Sequence, residues 1–407
     1  MKKWSLFKNI GPGTLVAAAF IGPGTVTVCS ISGASFGFTL LWALLLSIIA
    51  TIILQEMSAR LGLISGKGLA EAVKSQVTNE WLRWLVIALM LSAVLIGNSA
   101  YEAGNISGGV LGLEIIWPNT DFMIGNVTIN ALVLILGAIA FIILFIGNYK
   151  VLEKVLVGLV LLMSLSFITA AILTNPNWFA VLQGLFIPKQ PDGSLLTIIG
   201  LVGTTVVPYN LFLHSALVRE KWNSNTDLKK AQNDTIISII LGGLVSMAIV
   251  IAAAAVSNSN ISSGADLAKG LEPLFGLNAK YFLGAGLFAA GITSAITAPM
   301  AAAYVAKECF GWQGGIQSRN FRLTWMFVLF VGIITASLNF KSVEIIQFAQ
   351  IANGILLPIV AIFLWYILNK KEVMGQYKNS LMQNIFTAAI VLATLLISAK
   401  TFYKVFF

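Results

Sequence analysis

The chain has 407 residues, of which 58% are hydrophobic and only 10% are charged, and its mean hydropathy is +0.90. This composition excludes a soluble globular protein and indicates an integral membrane protein. The formal charge of +9 does not point to nucleic acid, because the cationic residues stand in short segments beside apolar runs and form no basic domain.

Apolar runs of about 20 residues, long enough to cross the hydrocarbon core, recur along the whole chain. They predict an all-α integral membrane protein, with the lipid bilayer as its surroundings. The eleven predicted transmembrane helices, or spans, are residues 10–34, 38–62, 81–103, 127–147, 152–174, 195–217, 235–256, 279–307, 322–338, 343–368 and 382–406.

Lysine and arginine orient these spans, since cationic loops stay in the cytoplasm. If the N-terminus is inside, 19 of the 25 Lys and Arg residues fall in cytoplasmic segments. We therefore predict a multi-pass protein of the plasma (inner) membrane, with a cytoplasmic N-terminus and an external C-terminus. The residues after Met1 resemble a signal-peptide n-region, but no small-residue cleavage site follows, so we expect this start to be retained.

The first and sixth spans each contain helix breakers, at Gly22-Pro23-Gly24 and at Pro208. Proline removes a backbone donor and glycine loosens the helix, so unpaired carbonyl and amide groups are left at mid-membrane. Such backbone is tolerated only where protein or a cavity covers it. The two breaks are therefore expected to face each other across a substrate site.

The two breaks lie five spans apart and run in opposite directions, which predicts an inverted repeat of five plus five helices. The long outer connection 257–278 is expected to be a polar loop, and the charged segment 219–234 a short surface helix. The predicted parts are residues 1–175 (first five-helix repeat), 176–370 (second, inverted repeat) and 371–407 (an additional eleventh helix).

Few ionisable groups lie within the spans, and each is costly there unless it is paired or hydrated. Glu102 and His214 are the candidates for a proton pathway, since an intramembrane carboxyl group is functional by default and imidazole titrates near neutral pH. The alternative for both is a structural hydrogen bond. Glu56 and Arg60 have the i,i+4 spacing of an ion pair, which we predict to be structural.

No pattern in the sequence is typical of an enzyme or of a cofactor site. One histidine and two isolated cysteines, Cys29 and Cys309, offer neither a histidine-rich metal site nor a disulfide, and no phosphate-binding glycine loop precedes a Lys-Ser/Thr pair. We predict no cofactor and no obligate protein partner. Energy for uphill transport would come from an ion gradient, H⁺ in preference to Na⁺.

Several motifs together resemble the natural resistance-associated macrophage proteins, the Nramp family. They are Gly11-Pro12-Gly13 leading into the first break, the string LQEMSARLG at 54–62, and the segment 203–217, which ends in NLFLHSAL. The resemblance covers nearly the whole chain. It implies a leucine-transporter-like fold with broken helices 1 and 6, and the proton-linked uptake of divalent metal that family members perform.

The metal-binding signature of that family is missing, however. Where the family has Asp-Pro-Gly-Asn, residues 22–25 read Gly-Pro-Gly-Thr, and where it has Met-Pro-His, residues 207–209 read Val-Pro-Tyr. In the third span the family's Asp-x-x-Glu keeps only its second acid, Glu102. Sites for divalent cations normally include carboxylate, imidazole or sulfur ligands, so we predict no metal ligands here.

We therefore predict a secondary-active transporter working by alternating access, with a remodelled site for a small polar or anionic solute such as an amino acid or a bicarbonate-like oxyanion. The backbone N–H groups of Gly24 and Thr25 at a helix N-terminus suit an anion. The alternative is a proton-coupled transporter of Mn²⁺, Fe²⁺ or Mg²⁺ with weakened coordination. A sensor that binds without translocating and a channel are further options.

The predicted substrate site combines both breaks with two amides of the tenth span. Thr293, Ser294 and Thr297 of the eighth span could contribute to a Na⁺ site, but their hydroxyls are expected to bond within their own helix. The predicted substrate-binding residues are Gly22, Pro23, Gly24, Thr25, Thr204, Thr205, Val207, Tyr209, Asn210, Gln350 and Asn353.

Overall fold

A computed structural model describes residues 21–118, 120–124, 127–147, 150–222, 224–255, 261–338 and 340–406. The inner half of the first predicted span, the glycines of the 11–13 motif and the retained N-terminal start lie outside the described residues. Within them the chain is almost entirely helical, as the hydropathy pattern predicts.

In the first part of the chain, the described residues form seven helices and a short two-stranded hairpin. In chain order the elements are α1 (Pro23–Phe36), α2 (Leu41–Ser65), α3 (Leu69–Gln76), α4 (Glu80–Glu114), β1 (Asp121–Ile124), β2 (Val127–Asn130), α5 (Ala131–Ile146), α6 (Lys150–Leu173) and α7 (Trp178–Phe186).

The second part begins with the other broken span. Its elements are α8 (Leu195–Thr205), α9 (Pro208–Lys221), α10 (Leu228–Ala254), α11 (Gly264–Ala268), α12 (Glu272–Phe275), α13 (Ala279–Phe310), α14 (Arg319–Ala336), α15 (Ser342–Leu368), α16 (Lys371–Met374) and α17 (Leu381–Phe406).

The described residues include eight helical segments long and apolar enough to cross a membrane, or nine if the bent pair α6 and α7, which meet at 117°, is counted as one span. The apolar helix α5 is shorter, at 16 residues. Each predicted span from the second onward overlaps one of these helices, or the pair α8 and α9. The exposed surface of the spans is rich in large apolar side chains, as contact with lipid requires.

The predicted fourth span, 127–147, is wrong at its start. Residues 127–130 form strand β2, which pairs antiparallel with β1 so that Asp121 faces Asn130 and Phe122 faces Ile129. The helix begins only at Ala131, because the Asn130 side chain accepts a hydrogen bond from the backbone N–H of Leu132 at 2.9 Å. An N-cap of this kind defines where a helix starts.

Two connections also differ from expectation. The charged segment 219–234 is no separate surface helix: α9 continues to Lys221, a short 3₁₀ turn covers Asn225–Asp227, and α10 begins at Leu228. The outer connection is not a plain loop where it is described. It contains α11, whose capping box joins Ser263 and Asp266, and α12.

Close packing between α4 and α13 forms much of the interior. A Cβ atom added to Gly291 would overlap the backbone of Gly109, and one added to Gly112 would overlap the backbone of Gly284. Small residues at such contacts let helix backbones approach closely, which is the usual way helices associate in lipid. Helix α1, which begins at the first break, contacts both α4 and α13.

Candidate functional site

The predicted break in the sixth span is confirmed. Helix α8 ends at Thr205. The next two residues, Val206 and Val207, are not helical, and α9 begins with Pro208 in its first turn. Proline is tolerated at that position because its missing N–H would have no partner within the helix anyway. Val207 is fully buried, and its carbonyl accepts a hydrogen bond from the Asn210 N–H at 3.1 Å.

The described half of the first break has matching geometry. Gly22 is extended, with φ −97° and ψ −177°, and α1 starts at Pro23. The hydroxyls of Thr25 and Thr204 are 2.8 Å apart, so a hydrogen bond joins the two broken spans directly. The breaks that the sequence placed in separate spans therefore meet in the interior, and both threonines are buried.

Gln350 of α15 lies against both broken spans. A Cβ on Gly24 would overlap the side-chain amide of Gln350, and a Cβ on Gly203 would overlap its backbone carbonyl. Glycine is thus required at both positions for α15 to approach α1 and α8. One further turn along α15, Asn353 is also buried.

Several buried polar atoms beside the breaks have no hydrogen-bond partner. Asn210 Oδ1, Gln350 Oε1 and Asn353 Nδ2 are in this state, although each side chain is at most 2% exposed. Buried polar groups are nearly always paired, because leaving one unpaired costs about 1 to 3 kcal/mol. A set of open amide groups at a helix break is therefore suited to a polar ligand.

Other predicted site residues have different neighbours. The ring of Tyr209 packs on that of Tyr101, with centroids 5.4 Å apart. The Thr205 hydroxyl donates to the Leu201 carbonyl of its own helix at 2.7 Å. Likewise Thr293 and Thr297 donate to carbonyls one turn back, each at 2.7 Å, as the sequence predicts.

Glu102 is fully buried on α4 and packs against Gly332 of α14, where a Cβ would overlap its side chain. One carboxyl oxygen accepts a hydrogen bond from Asn105 at 3.3 Å, and the other has no partner. Such a carboxyl group can hold a proton and still has a free oxygen with which to exchange it.

His214 is fully buried on α9, and its Nδ1 lies 2.9 Å from Gln55 Oε1 of α2. Because an amide oxygen only accepts, Nδ1–H donates this bond, and Nε2 has no partner. Sequence reasoning missed Gln55. The signal was available, since Gln55 is a polar residue in an apolar span directly before Glu56.

The Glu56 and Arg60 pair is confirmed, with Nε to Oε1 at 3.0 Å. Sequence reasoning missed its partners: Arg60 also donates to the Tyr377 carbonyl and to Asn379 Oδ1, at 2.6 and 2.8 Å, while Gln232 donates to Glu56. We call these five residues the Arg60 network. Cys29 and Cys309 are free thiols, and both are buried.

Charged ligands do not converge at the breaks. Across the described ranges, His, Cys, Asp and Glu form no group of three or more that could hold a metal ion. The open atoms at the centre belong to neutral amides. Whatever binds there is held by dipoles, so the arrangement is suited to weak, reversible binding.

Comparison with known proteins identifies relatives over the full length of the chain. A family described as "Natural resistance-associated macrophage protein-like" matches residues 13–404. The "Divalent metal cation transporter MntH" of Verminephrobacter eiseniae is 27% identical over 97% of this chain and 89% of its own length.

Solved structures share the fold. A manganese transporter of Eremococcus coleocola, in a crystal structure of a mutant, superposes with a TM-score of 0.76 at 18% identity, covering 98% of this chain and 88% of that one. A nucleobase-cation-symport-1 family transporter gives a TM-score of 0.61 at 15% identity, covering 96% and 91%. The predicted fold, an all-α membrane architecture of the leucine-transporter-like type, is confirmed.

Proposed function

Because the chain belongs to the Nramp family of membrane transporters, and is not an enzyme, we propose that it carries a divalent metal cation across the plasma membrane by alternating access. The relationship to divalent metal cation transporters supports the second of the two substrate interpretations, metal with weakened coordination, over a small polar or anionic solute. The proposed cation is hard, Mg²⁺ or Mn²⁺, since oxygen ligands suit these ions.

The observation that carries this proposal is the pair of buried amide oxygens without a donor, Asn210 Oδ1 and Gln350 Oε1. An amide oxygen is an ordinary ligand for a hard cation. The hydroxyls of Thr25 and Thr204 lie at the same junction of the broken spans. Without a carboxylate, the ion would keep part of its hydration shell and bind weakly.

Proton coupling is proposed for Glu102 and His214. Each is fully buried and titratable, and each has one side-chain atom without a partner through which a proton can pass. We further propose the orientation with a cytoplasmic N-terminus and an external C-terminus, and the repeat boundaries at 175/176 and 370/371, from the distribution of cations and breaks.

The test is uptake into proteoliposomes containing the purified protein, with Mn²⁺ and Mg²⁺ assayed separately. We expect uptake that is accelerated by a proton gradient and lost in Asn210→Leu, with the surface variant Asn369→Leu as a control. Glu102→Gln is expected to abolish the stimulation by the proton gradient, because an amide cannot exchange a proton at neutral pH.

The small polar or anionic solute remains the second candidate, favoured by the lack of carboxylate at the breaks and by the positive end of α1 at Gly24. The same proteoliposomes distinguish the two. If labelled amino acid or bicarbonate is taken up, and neither Mn²⁺ nor Mg²⁺ is, the metal proposal is rejected. A Na⁺ gradient tested in place of the proton gradient identifies the coupling ion.

A further inference from the structure

A large cavity opens on the predicted cytoplasmic side, away from the breaks. Its volume is about 810 Å³, and it lies between α3, the start of α4, and the ends of α9 and α13. We call it the basic vestibule, because five cationic side chains line it. These are Lys67, Lys74, Arg83, Arg219 and Lys307.

These cations outnumber the acids that line the same cavity. Two carboxyl groups line the cavity, those of Glu71 and Glu308. Glu308 packs against Gly68 at the start of α3, close enough to Arg219 for the two charges to interact, and its Oε2 has no hydrogen-bond partner. The ion pairs within 4.0 Å involve other residues, so none of the five cations has a carboxylate partner at that distance among the described side chains.

Arg219 shows most clearly that a cation of the vestibule lacks a hydrogen-bond acceptor. One of its terminal nitrogens donates to the Gly66 carbonyl, while its buried Nε–H has no acceptor. A buried charged donor without an acceptor is costly, and like charges gathered in one cavity repel one another. An anion with several oxygens would relieve both effects.

We propose that the basic vestibule binds a phosphate-bearing anion. Phosphate oxygens accept charge-assisted hydrogen bonds from arginine and lysine, and a cavity of this volume is in the usual range for small-molecule sites. The chemistry is shared by a soluble phosphate compound and by the headgroup of an anionic lipid, so the experiment must separate these sources.

Binding here would act on the inner half of the sixth span. The α3 backbone donates to Ser215 Oγ of α9 through the Leu69 N–H at 2.9 Å, and Arg219 of α9 reaches Gly66 before α3. An anion held between α3, α9 and α13 would add a link that resists relative movement of these helices. We therefore expect bound anion to slow transport.

The test is calorimetric titration of the purified full-length protein in uncharged detergent with inorganic pyrophosphate. We expect saturable binding to one site, and binding about tenfold weaker or more in Lys74→Gln/Lys307→Gln, since each lost charge-assisted contact is of that order. The matched control is Lys229→Gln/Lys371→Gln, which removes two exposed cations outside the cavity and should leave the affinity unchanged.

Absence of saturable binding, or equal weakening in the vestibule and control variants, would overturn the proposal. Arg83→Gln provides a second vestibule variant if the double one does not fold. The same pyrophosphate titration in nanodiscs separates the two sources. If nanodiscs that contain phosphatidylglycerol weaken pyrophosphate binding relative to nanodiscs of phosphatidylcholine alone, the site binds a lipid headgroup. If the affinity for pyrophosphate is equal in both, the site binds a soluble anion. Metal uptake is measured separately, so failure of either proposal leaves the other intact.

Discussion

The Arg60 network and the junction of the broken spans are both polar and lie wholly or partly in the interior, yet they differ in how their atoms are paired. Arg60 donates to a carboxylate, an amide oxygen and a backbone carbonyl, and Glu56 also accepts from Gln232. At the junction, amide atoms of Asn210 and Gln350 have no partner.

We propose that this difference distinguishes a structural cluster, the Arg60 network, from a ligand-binding site at the junction. A buried charge that is fully paired holds helices in place, and in the Arg60 network it ties α2 to α10 and to the segment before α17. A buried neutral group without a hydrogen-bond partner lowers the stability of the fold somewhat, but it is available to a ligand. Mutations in the Arg60 network should therefore lower stability, whereas mutations at the junction should lower the rate of transport.

The largest expected effect is on stability, at Arg60. Arg60→Ala would leave the partly buried Glu56 carboxylate without its cation, and breaking an ion pair in this way costs up to about 3 to 5 kcal/mol where the pair is fully buried. Thermal unfolding in detergent measures the loss. The control is Lys230→Ala, whose ion pair with Asp227 is exposed, and a similar fall in both variants would contradict the assignment of Arg60 as a structural anchor.

The intermediate effect is on transport, at Gln350. Gln350→Leu removes an amide oxygen that we propose as a ligand, so we expect uptake to fall by at least about 10- to 100-fold, the range for losing a group that only supports a metal ligand. Stability should be unchanged or higher, because an unpaired buried acceptor disappears. Gln347→Leu, one turn earlier on α15 and only partly buried, is the matched control. Normal uptake by the Gln350 variant would remove it from the site.

The smallest expected effect is on the link between the breaks. A double-mutant cycle of Thr25→Val and Thr204→Val should give a coupling of about 0.5 to 1.5 kcal/mol in unfolding, the net value of one hydrogen bond. Pairing Thr204→Val with Thr293→Val should give additive effects, since Thr293 bonds within its own helix. Additivity in the first cycle would mean that the two hydroxyls do not depend on each other.

Local patterns in the sequence were sufficient for much of the fold. Hydropathy predicts where helices lie from the second span onward, Pro208 predicts the break before α9, and i,i+4 spacing predicts the Glu56 and Arg60 pair. They failed at Val127–Asn130, because a run of β-branched residues next to an apolar helix has no hydropathy boundary, and pairing with Asp121–Ile124 decides its structure.

The sequence by itself determined a membrane transporter with two broken spans and a centre without carboxylates, because hydropathy, helix breakers and charge are properties of neighbouring residues. Only the tertiary structure placed Gln350 across Gly24 and Gly203, joined His214 to Gln55, and gathered five cations around one vestibule. Those contacts join helices far apart in the chain, and packing between helix surfaces, which no local pattern records, decides which residues meet.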